Sequence, residues 1–267
     1  YRSFFAWDSG WHAITMSKID PDIAAKEMEY IVCMQREDGH IPHEVLIEKL
    51  ETKAPLQRKL LLSAMKSQYD GKRRSYLTDP PSYFIAAEKI YEKTKDISWL
   101  KHILPPMVHC SEFLLKERDL FGDGLISIIH PWESGTDASP VFDAPFGYKN
   151  NTILTPFQRL WHYIGLVNHY NKLGWNITDI KQINRFVFED LTFNSIFIAG
   201  LLSLSRLSRL IDDNRKAEAL EQTARNMTDA LIAHSWDEKS GCFFPRWDVE
   251  QPKLSKRKTC ASLLPMI

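Results

Sequence analysis

The chain has 267 residues, 44% of them hydrophobic, and its 34 Lys and Arg balance its 34 Asp and Glu. The formal net charge of zero gives no electrostatic reason to expect binding to nucleic acid or to an anionic membrane. The longest apolar run, residues 196–202, is far shorter than the roughly 20 residues that span a bilayer, so no membrane partner is expected. The length fits one large domain or two small ones.

Helical periodicity dominates the chain. Apolar residues recur three or four positions apart, and the pairs Asp20-Pro21, Asp79-Pro80 and Thr155-Pro156 are typical helix starts. The pattern predicts helical segments at about residues 9–19, 21–35, 80–91, 96–114, 155–168, 189–211 and 213–235. Pro105-Pro106 is expected to interrupt the fourth of them. Strand-like alternation is confined to short pieces such as 124–129 and 241–247, so the fold class is all-α.

Residues 44–78 are charged and only weakly periodic. We interpret them as an insertion or lid between helices and not as a linker between domains. We therefore expect residues 1–267 to form a single domain. Long helices alternate along the chain with irregular loops, and successive helical hairpins of this kind can ring a central cavity with their loops gathered at one mouth.

Both ends of the sequence look truncated. Tyr1 leads directly into an aromatic-rich motif, and the chain stops in the apolar run "ASLLPMI". We expect a fragment of a longer domain, so the lack of a targeting segment indicates little. Three N-x-T triplets, at Asn150, Asn176 and Asn226, do not establish secretion. The compartment stays unassigned, with a cytoplasmic location favoured over secretion.

Four cysteines lie far apart, without a CxxC pair or a histidine at metal-ligand spacing: Cys33, Cys110, Cys242 and Cys260. This spacing favours buried reduced thiols over a zinc site or a disulfide framework. No metal and no cofactor are expected.

Polar and aromatic residues concentrate in five clusters at loops or helix starts. The clusters are "FFAWDSGWH" (4–12), "QREDGHIPHE" (35–44), "TDPPSYF" (78–84), "HPWESGTDASP" (130–140) and "WDEKSGCFFPRWD" (236–248). Sugars require this combination, because aromatic faces stack on their C–H surfaces and carboxylates accept hydrogen bonds from their hydroxyls. Ligand pockets in general have apolar walls with a few polar groups. The clusters therefore predict a carbohydrate site.

Simpler explanations exist for single residues. Trp7 and Trp11 lie four positions apart and could pack in the core. Asp8 could cap the helix at 9–19, and Asp79 could cap the helix that Pro80 opens. His43, beside a proline turn, could be a structural hydrogen-bond donor. One cluster alone proves little, but five in successive positions between helices favour a site.

Asp137 has the stronger functional case. It lies in a loop with Gly135 and Pro140, near Trp132 and a second carboxylate, Glu133. An indole wall and a nearby negative charge both raise a carboxyl pKa, as a general acid near neutral pH requires. A glycosidase also needs a second carboxylate, about 6.5–9.5 Å away if water attacks the sugar directly or about 5–5.5 Å away if the enzyme attacks first, and spacing in sequence does not give that distance.

The motifs resemble a known family. "FFAWDSGWH", "QREDGHIPH", "DPPSYFIAAEKIY", "HPWESGTDASP" and "FEDLTFNS" occur in this order, over the chain from Phe4 to about Asp248. Together they are similar to glycoside hydrolase family 63 and its relatives, which include bacterial α-glucosidases, mannosylglycerate and glucosylglycerate hydrolases and the processing glucosidase of N-glycans. The W-E-S-G-x-D segment is the most specific of them.

The resemblance implies an (α/α)6 toroid and hydrolysis with inversion at the anomeric carbon. The general acid of the family falls on Asp137, and the sugar-lining aromatic-acid motif falls on Trp7 and Asp8. The clusters and the resemblance together select eight substrate-binding candidates: Trp7, Asp8, Trp11, His12, His43, Asp79, Trp132 and Glu133. The toroid has twelve helices and about seven are predicted here, so we expect an incomplete ring.

Three departures from the family pattern bear on function. The family usually carries Asn after the acid, where this chain has Ala138, and many relatives carry Gln where Asp79 stands. The general base of the family is a Glu in a C-terminal segment that has no counterpart before Ile267. No base is therefore assigned in this chain.

The main hypothesis is an inverting α-glycosidase that removes a terminal α-glucosyl or α-mannosyl unit from a small carbohydrate. A catalytically silent carbohydrate-binding toroid is the first alternative, motivated by Ala138 and the missing base. A trehalase-like or debranching hydrolase of the same fold is the second. The oligomeric state is not assigned.

Overall fold

The computed structural model describes residues 3–47, 65–148 and 155–266. The middle of the predicted insertion, residues 48–64, and the triplet at Asn150 lie outside the described residues, so the predicted lid stays a prediction. Eight α-helices occupy the described part: α1 (Ala6–Met16), α2 (Pro21–Cys33), α3 (Ser82–Thr94), α4 (Ile97–Glu117), α5 (Pro156–Lys172), α6 (Ile177–Ile183), α7 (Leu191–Leu210) and α8 (Asn214–Ser235). Periodicity predicted all but α6, which has only seven residues.

Capping side chains begin several helices where the sequence predicted them. Asp20 accepts a hydrogen bond from the backbone N–H of Ile23 at the start of α2. Thr155 and Gln158 form a reciprocal capping box at the start of α5, in which each side chain bonds the backbone of the other. These local signals fix where the helices begin.

Two predicted alternatives, Asp8 and Asp79 as caps of the helices that follow them, are wrong. Helix α1 begins at Ala6, so Asp8 lies inside its first turn. Asp79 does not cap α3. One of its carboxylate oxygens instead accepts a hydrogen bond of 3.1 Å from the backbone N–H of Trp7. Asp79 therefore satisfies an N–H group that helix geometry leaves unpaired at the start of α1.

The predicted interruption at Pro105-Pro106 is also wrong, because α4 runs without a break from Ile97 to Glu117. Its buried residues before the prolines, such as Ile103, and after them, such as Met107, lie on one face. A proline inside a helix costs roughly 3 kcal/mol, but burial of a continuous apolar face offsets such a local cost. The carbonyl of Pro106 accepts a hydrogen bond of 2.8 Å from the side-chain amide of Gln35.

The helices form two layers. Helices α1, α3 and α7 pack side by side in that order; α2 packs against α1 and α3, α4 against α3 and α7, and α8 against α7. Helix α7 is the only helix in the described part of the chain that is long and apolar enough to cross a membrane, and 72% of its apolar window is buried within the protein. It contacts α3, α4 and α8 and forms the centre of the hydrophobic core.

Short strands connect the helices. The strands are β1 (Ser3–Phe5), β2 (Glu44–Leu46), β3 (Phe188–Glu189), β4 (Trp236–Asp237), β5 (Cys242–Phe243), β6 (Arg246–Trp247) and β7 (Lys253–Leu254). They pair antiparallel as β1 with β2, β3 with β6, β6 with β7, and β4 with β5. The predicted strand at 124–129 does not form, since only Ile128 makes an isolated bridge, to Phe188. The predicted piece at 241–247 forms β5 and β6.

The prediction that all four cysteines are buried is wrong. Cys110 is buried, but Cys33 and Cys260 are exposed and Cys242 is half-buried; all four are free thiols. Cys33 ends α2 and Cys260 follows the last strand, and both positions lie outside the packed helix faces.

Helices α5 and α6 and the segment around 66–76 lie between the layers and the loops. The indole N–H of Trp175 donates to the backbone carbonyl of Ser67 over 3.1 Å, and the ring of Trp175 stacks on that of Tyr76 with centroids 5.1 Å apart. This packing holds the segment around 66–76 against the turn between α5 and α6.

Candidate active site

A cavity of about 1180 Å³ opens where α1 and α3 begin. The first turn of α1 and the residue three positions before α3 face it, as do strand β1 and the segments 135–140 and 259–261. Seven of the predicted site residues line it: Trp7, Asp8, His12, His43, Asp79, Trp132 and Asp137. Four of the five polar-aromatic clusters thus meet in one place.

The fifth cluster, residues 236–248, does not reach the cavity, which corrects the prediction for that segment. Its first residues form the β4–β5 hairpin after α8. Arg246, in β6, makes a two-pronged ion pair with the buried carboxylate of Glu189. The charged and aromatic residues of this cluster hold strands together and do not contribute to the site.

Trp7 and Trp11 have different positions. Trp7 is half-buried and faces the cavity, whereas Trp11 is 38% exposed and packs edge-on against Trp7 with ring centroids 5.4 Å apart. Gly135 leaves the space that the ring of Trp7 occupies. Its φ is +70°, and a Cβ there would lie 2.8 Å from Trp7 Cε2. Trp11 therefore supports the wall that Trp7 and the glycine form together.

Asp137 reaches the open part of the cavity. Burial in the surrounding cavity raises the pKa of its carboxyl to about 6, and the neighbouring carboxylate of Asp8 raises it further, against a backbone hydrogen bond that lowers it. Within the described ranges, none of the ion pairs involves Asp137. A carboxyl group with a pKa of about 6 is half protonated at pH 6, and its protonated form can donate a proton to a leaving oxygen.

Asp79 is 3% exposed and lies on the inner wall. Burial is the largest cause that raises its pKa well above the ordinary value, and the charges of Asp137, Asp8 and Glu133 add to it. The hydrogen bond from the Trp7 backbone acts in the opposite direction. These influences favour the protonated form of Asp79, which presents both a donor and an acceptor.

Glu133 was predicted to bind substrate, but the structure places it behind the cavity wall with no exposed surface. Its carboxylate accepts two hydrogen bonds from the buried Arg118, at 2.7 and 3.0 Å. It also accepts from the backbone N–H groups of Thr78, at 3.0 Å, and Ile129, at 2.7 Å. Glu133 therefore joins the loop of Asp137 to the loop of Asp79, and a role in shaping the site fits better than direct contact with a sugar.

Buried histidines orient the aromatic wall. Nδ1 of His130 accepts from the backbone N–H of Trp132 at 3.1 Å, and Nε2 contacts the carbonyl of Tyr163 at 3.1 Å. Burial lowers the pKa of His130 to about 3, so the ring stays neutral and Nε2 donates. Burial also lowers the pKa of His43 to about 3. His43 lines the cavity, and neutral imidazole suits a hydrogen-bonding role better than proton transfer near neutral pH.

The sequence analysis missed Arg118, Arg159 and Tyr163, which hold the loop of Asp137. Arg118 follows the end of α4 without a motif around it. Arg159 and Tyr163 are four positions apart on α5, a spacing that puts them on one helix face and was the only available signal. Across the described ranges, no group of three or more His, Cys, Asp or Glu residues could hold a metal ion.

An aromatic cavity with a protonated carboxyl group on its wall is typical of enzymes that cleave glycosidic bonds. The whole sequence, residues 1–267, matches the family model described as "Mannosylglycerate hydrolase MGH1-like glycoside hydrolase domain". The chain therefore belongs to this family of glycoside hydrolase domains.

Similar proteins agree with this assignment. A mannosylglycerate hydrolase from Thermus thermophilus is 26% identical over 290 residues, which cover all of this chain and 67% of the relative. The crystal structure of a glycoside hydrolase family 63 mannosylglycerate hydrolase from Thermus thermophilus in complex with glucose has a TM-score of 0.81 at 25% identity. Its complex with Tris and D-glycerate has a TM-score of 0.84 at 24% identity.

These comparisons also define how much of the domain is present. The chain is covered completely by both crystal structures but spans only 65–66% of their length. The two layers of helices are accordingly an incomplete (α/α)6 toroid, as the sequence predicted.

Proposed function

We propose that this chain forms the acid-bearing part of an inverting α-glycosidase that acts on mannosylglycerate or glucosylglycerate. One observation carries the proposal: the carboxyl group of Asp137, with a pKa raised to about 6, opens into a cavity walled by Trp7 and Trp132. The names of the relatives supply the substrate class, since they hydrolyse mannosylglycerate.

In the proposed reaction, the sugar ring lies against Trp7 and Trp132, and Asp8 accepts hydrogen bonds from its hydroxyls. Asp137 gives its proton to the glycosidic oxygen as the bond to the anomeric carbon breaks. Water attacks the opposite face of the ring, activated by a base that we expect in the C-terminal part of the family's domain and assign to no residue of this chain. The ring passes through an oxocarbenium-like transition state.

The size and charge of the cavity bear on the substrate. Its volume of about 1180 Å³ accommodates a sugar with a small aglycone. The described residues that line it include no Arg or Lys. We therefore expect the sugar to be bound at the described wall, and the carboxylate of a glycerate aglycone to be recognised by other groups.

The test is Asp137→Asn in the full-length protein. General acid catalysis contributes roughly 10²–10⁴-fold, so kcat on mannosylglycerate should fall by that factor, with an unchanged circular dichroism spectrum. Asp229→Asn, the same chemical change on the exposed face of α8, is the matched control and should be silent.

Near-normal turnover by Asp137→Asn would exclude Asp137 as the acid. The alternative of a silent binding protein, motivated by Ala138, predicts instead that the full-length wild type binds the sugar and does not hydrolyse it. Isothermal titration together with product analysis on mannosylglycerate, glucosylglycerate, kojibiose and trehalose separates the two, and also reveals a trehalase-like preference.

A further inference from the structure

Side chains of helix α5 bind main-chain carbonyls of the loop that carries Asp137. The hydroxyl of Tyr163 donates to the backbone carbonyl of Asp137 over 2.5 Å. One turn earlier on the same face, Nη1 of Arg159 donates to the carbonyl of Ala138 over 2.8 Å and to that of Ser139 over 3.2 Å. Three consecutive carbonyls, beginning with that of the proposed acid, are thus bound by two side chains of one helix.

Arg159 is itself held in place. Its guanidinium forms a buried ion pair with Asp143, with an Nη1–Oδ1 distance of 3.1 Å and an Nη2–Oδ2 distance of 3.2 Å. Arg257, from the segment after the last strand, approaches the same carboxylate at 3.7 Å. Asp143 follows the acid loop by only a few residues, so one arginine binds both the end of the loop and the segment after it.

The donors keep their protons under ordinary conditions. Burial raises the pKa of the Tyr163 phenol to about 12, with a further contribution from Asp137, so it remains an O–H donor. Ala138 has no polar side chain of its own. At residues 137–139 the contacts from α5 are therefore made to the backbone, which is the part of the chain that sets the direction of the Asp137 side chain.

We infer that Arg159 and Tyr163 are positioning residues that aim the Asp137 carboxyl group at the glycosidic oxygen. This inference rests on the proposed function, because it assigns a purpose to the direction of Asp137. Neither side chain lines the cavity, so both act through the loop and not through contact with substrate. A shift of about 1 Å in a catalytic group can cost about 10²-fold in rate, so small losses of fixation are measurable.

The experiment compares leaving groups in the full-length protein. A glycoside of glycerate has a basic leaving oxygen that needs protonation, whereas a glycosyl fluoride leaves without it. We expect Tyr163→Phe to lower kcat on the glyceryl glycoside about 10-fold and Arg159→Gln about 10²-fold, with KM changed little and fluoride hydrolysis near the wild-type rate. Asp137→Asn should show the same selective loss, only larger.

Tyr170→Phe is the matched control. It lies two turns further along α5 and also removes a hydrogen bond from a phenol to a carbonyl, that of Phe186 at 3.4 Å, away from the acid loop. It should leave the ratio of the two rates unchanged. If Arg159→Gln fails to fold, Tyr163→Phe, which removes a single oxygen atom, decides the question.

Equal losses on both substrates in Tyr163→Phe would assign the residue a general structural role and overturn the inference. Wild-type rates of the folded Tyr163→Phe on both substrates would overturn it as well. In either case a selective loss in Asp137→Asn leaves the proposed function intact. Normal hydrolysis of the glyceryl glycoside by Asp137→Asn would instead overturn the proposed function itself.

Discussion

Asp79 combines two roles in one side chain. It accepts from the backbone N–H of Trp7 at the start of α1 and faces the cavity beside Asp137. The family resemblance places Gln at this position in many relatives. A buried carboxyl group that keeps its proton offers one donor and one acceptor, as an amide does. The raised pKa of Asp79 thus reconciles an acidic residue with the hydrogen-bonding pattern of a Gln.

Asp79→Asn should be tolerated and should stabilise the protein at neutral pH. Because the folded pKa of Asp79 is raised, the protein loses stability as pH rises above the unfolded pKa of about 3.9, and Asn removes that loss. The melting temperature of the variant should therefore exceed that of the wild type by an amount that increases from pH 4 to pH 8. A difference that is flat with pH would show that Asp79 ionises freely in the folded protein.

The pKa of Asp137 predicts how the proposed activity depends on pH. A general acid works only while protonated, so kcat/KM should fall above about pH 6, tenfold per pH unit. Asp8→Asn removes a negative neighbour that raises this pKa and should move the fall to lower pH. Steady-state rates between pH 4 and pH 9 measure both effects. A profile of Asp8→Asn that coincides with the wild type would contradict the electrostatic coupling.

At the scale of elements, the ion pair between Arg118 and Glu133 joins the end of α4 to two loops of the site. Both side chains are buried, and the carboxylate also receives the backbone N–H groups of Thr78 and Ile129. A buried pair of this kind adds little stability over an apolar pair, but removal of one partner leaves a charge without compensation. We interpret this ion pair as the contact that fixes the Asp79 loop and the Asp137 loop in position relative to each other.

Arg118→Met should therefore destabilise the protein by about 3–5 kcal/mol, because Glu133 would remain buried without its guanidinium. Urea unfolding followed by tryptophan fluorescence measures this change. Lys216→Met, which breaks the exposed pair with Glu112, is the control and should cost about 1 kcal/mol or less. Similar losses in the two variants would refute the role assigned to the buried pair.

At the scale of the whole molecule, acidic groups dominate the cavity of a protein with no net charge. Asp8, Asp79 and Asp137 face the cavity, and its described lining has no Arg or Lys. In the proposed reaction, the carboxylate of Asp8 and the acceptor oxygens of Asp79 and Asp137 stabilise the positive charge that develops on the sugar ring in the transition state. The arrangement of acidic residues around the cavity therefore indicates function, whereas the net charge of zero does not.

A cationic ligand should consequently bind better than a neutral one of the same shape. Protonated Tris and pentaerythritol have nearly the same size and hydroxyl pattern and differ in charge. We expect a competitive inhibition constant about tenfold lower for Tris at pH 7, equivalent to ~1.4 kcal/mol. Inhibition kinetics on the full-length protein test this, and equal constants would argue against an acidic sugar subsite.

The sequence predicted those parts of the molecule that depend on local signals. Capping pairs gave the starts of α2 and α5, and W-E-S-G-x-D located Asp137 and Trp132. The interruption at Pro105-Pro106 failed because tertiary packing overrides helix propensity. The partner of Glu133 was missed because Arg118 comes from another element, and pairing between elements leaves no periodic pattern in one sequence.

Cys260 is a thiol at the edge of the cavity that reagents in solution can reach. Its free thiol is exposed and lies on the cavity wall beside Thr259 and Ala261. Exposed thiols are oxidised and alkylated more readily than buried ones. An electrophile that modifies Cys260 adds bulk at the cavity wall, so reducing agents should protect access to the cavity. Once Cys33→Ser has removed the other exposed thiol, a dye attached to Cys260 becomes a built-in sensor of ligand entry.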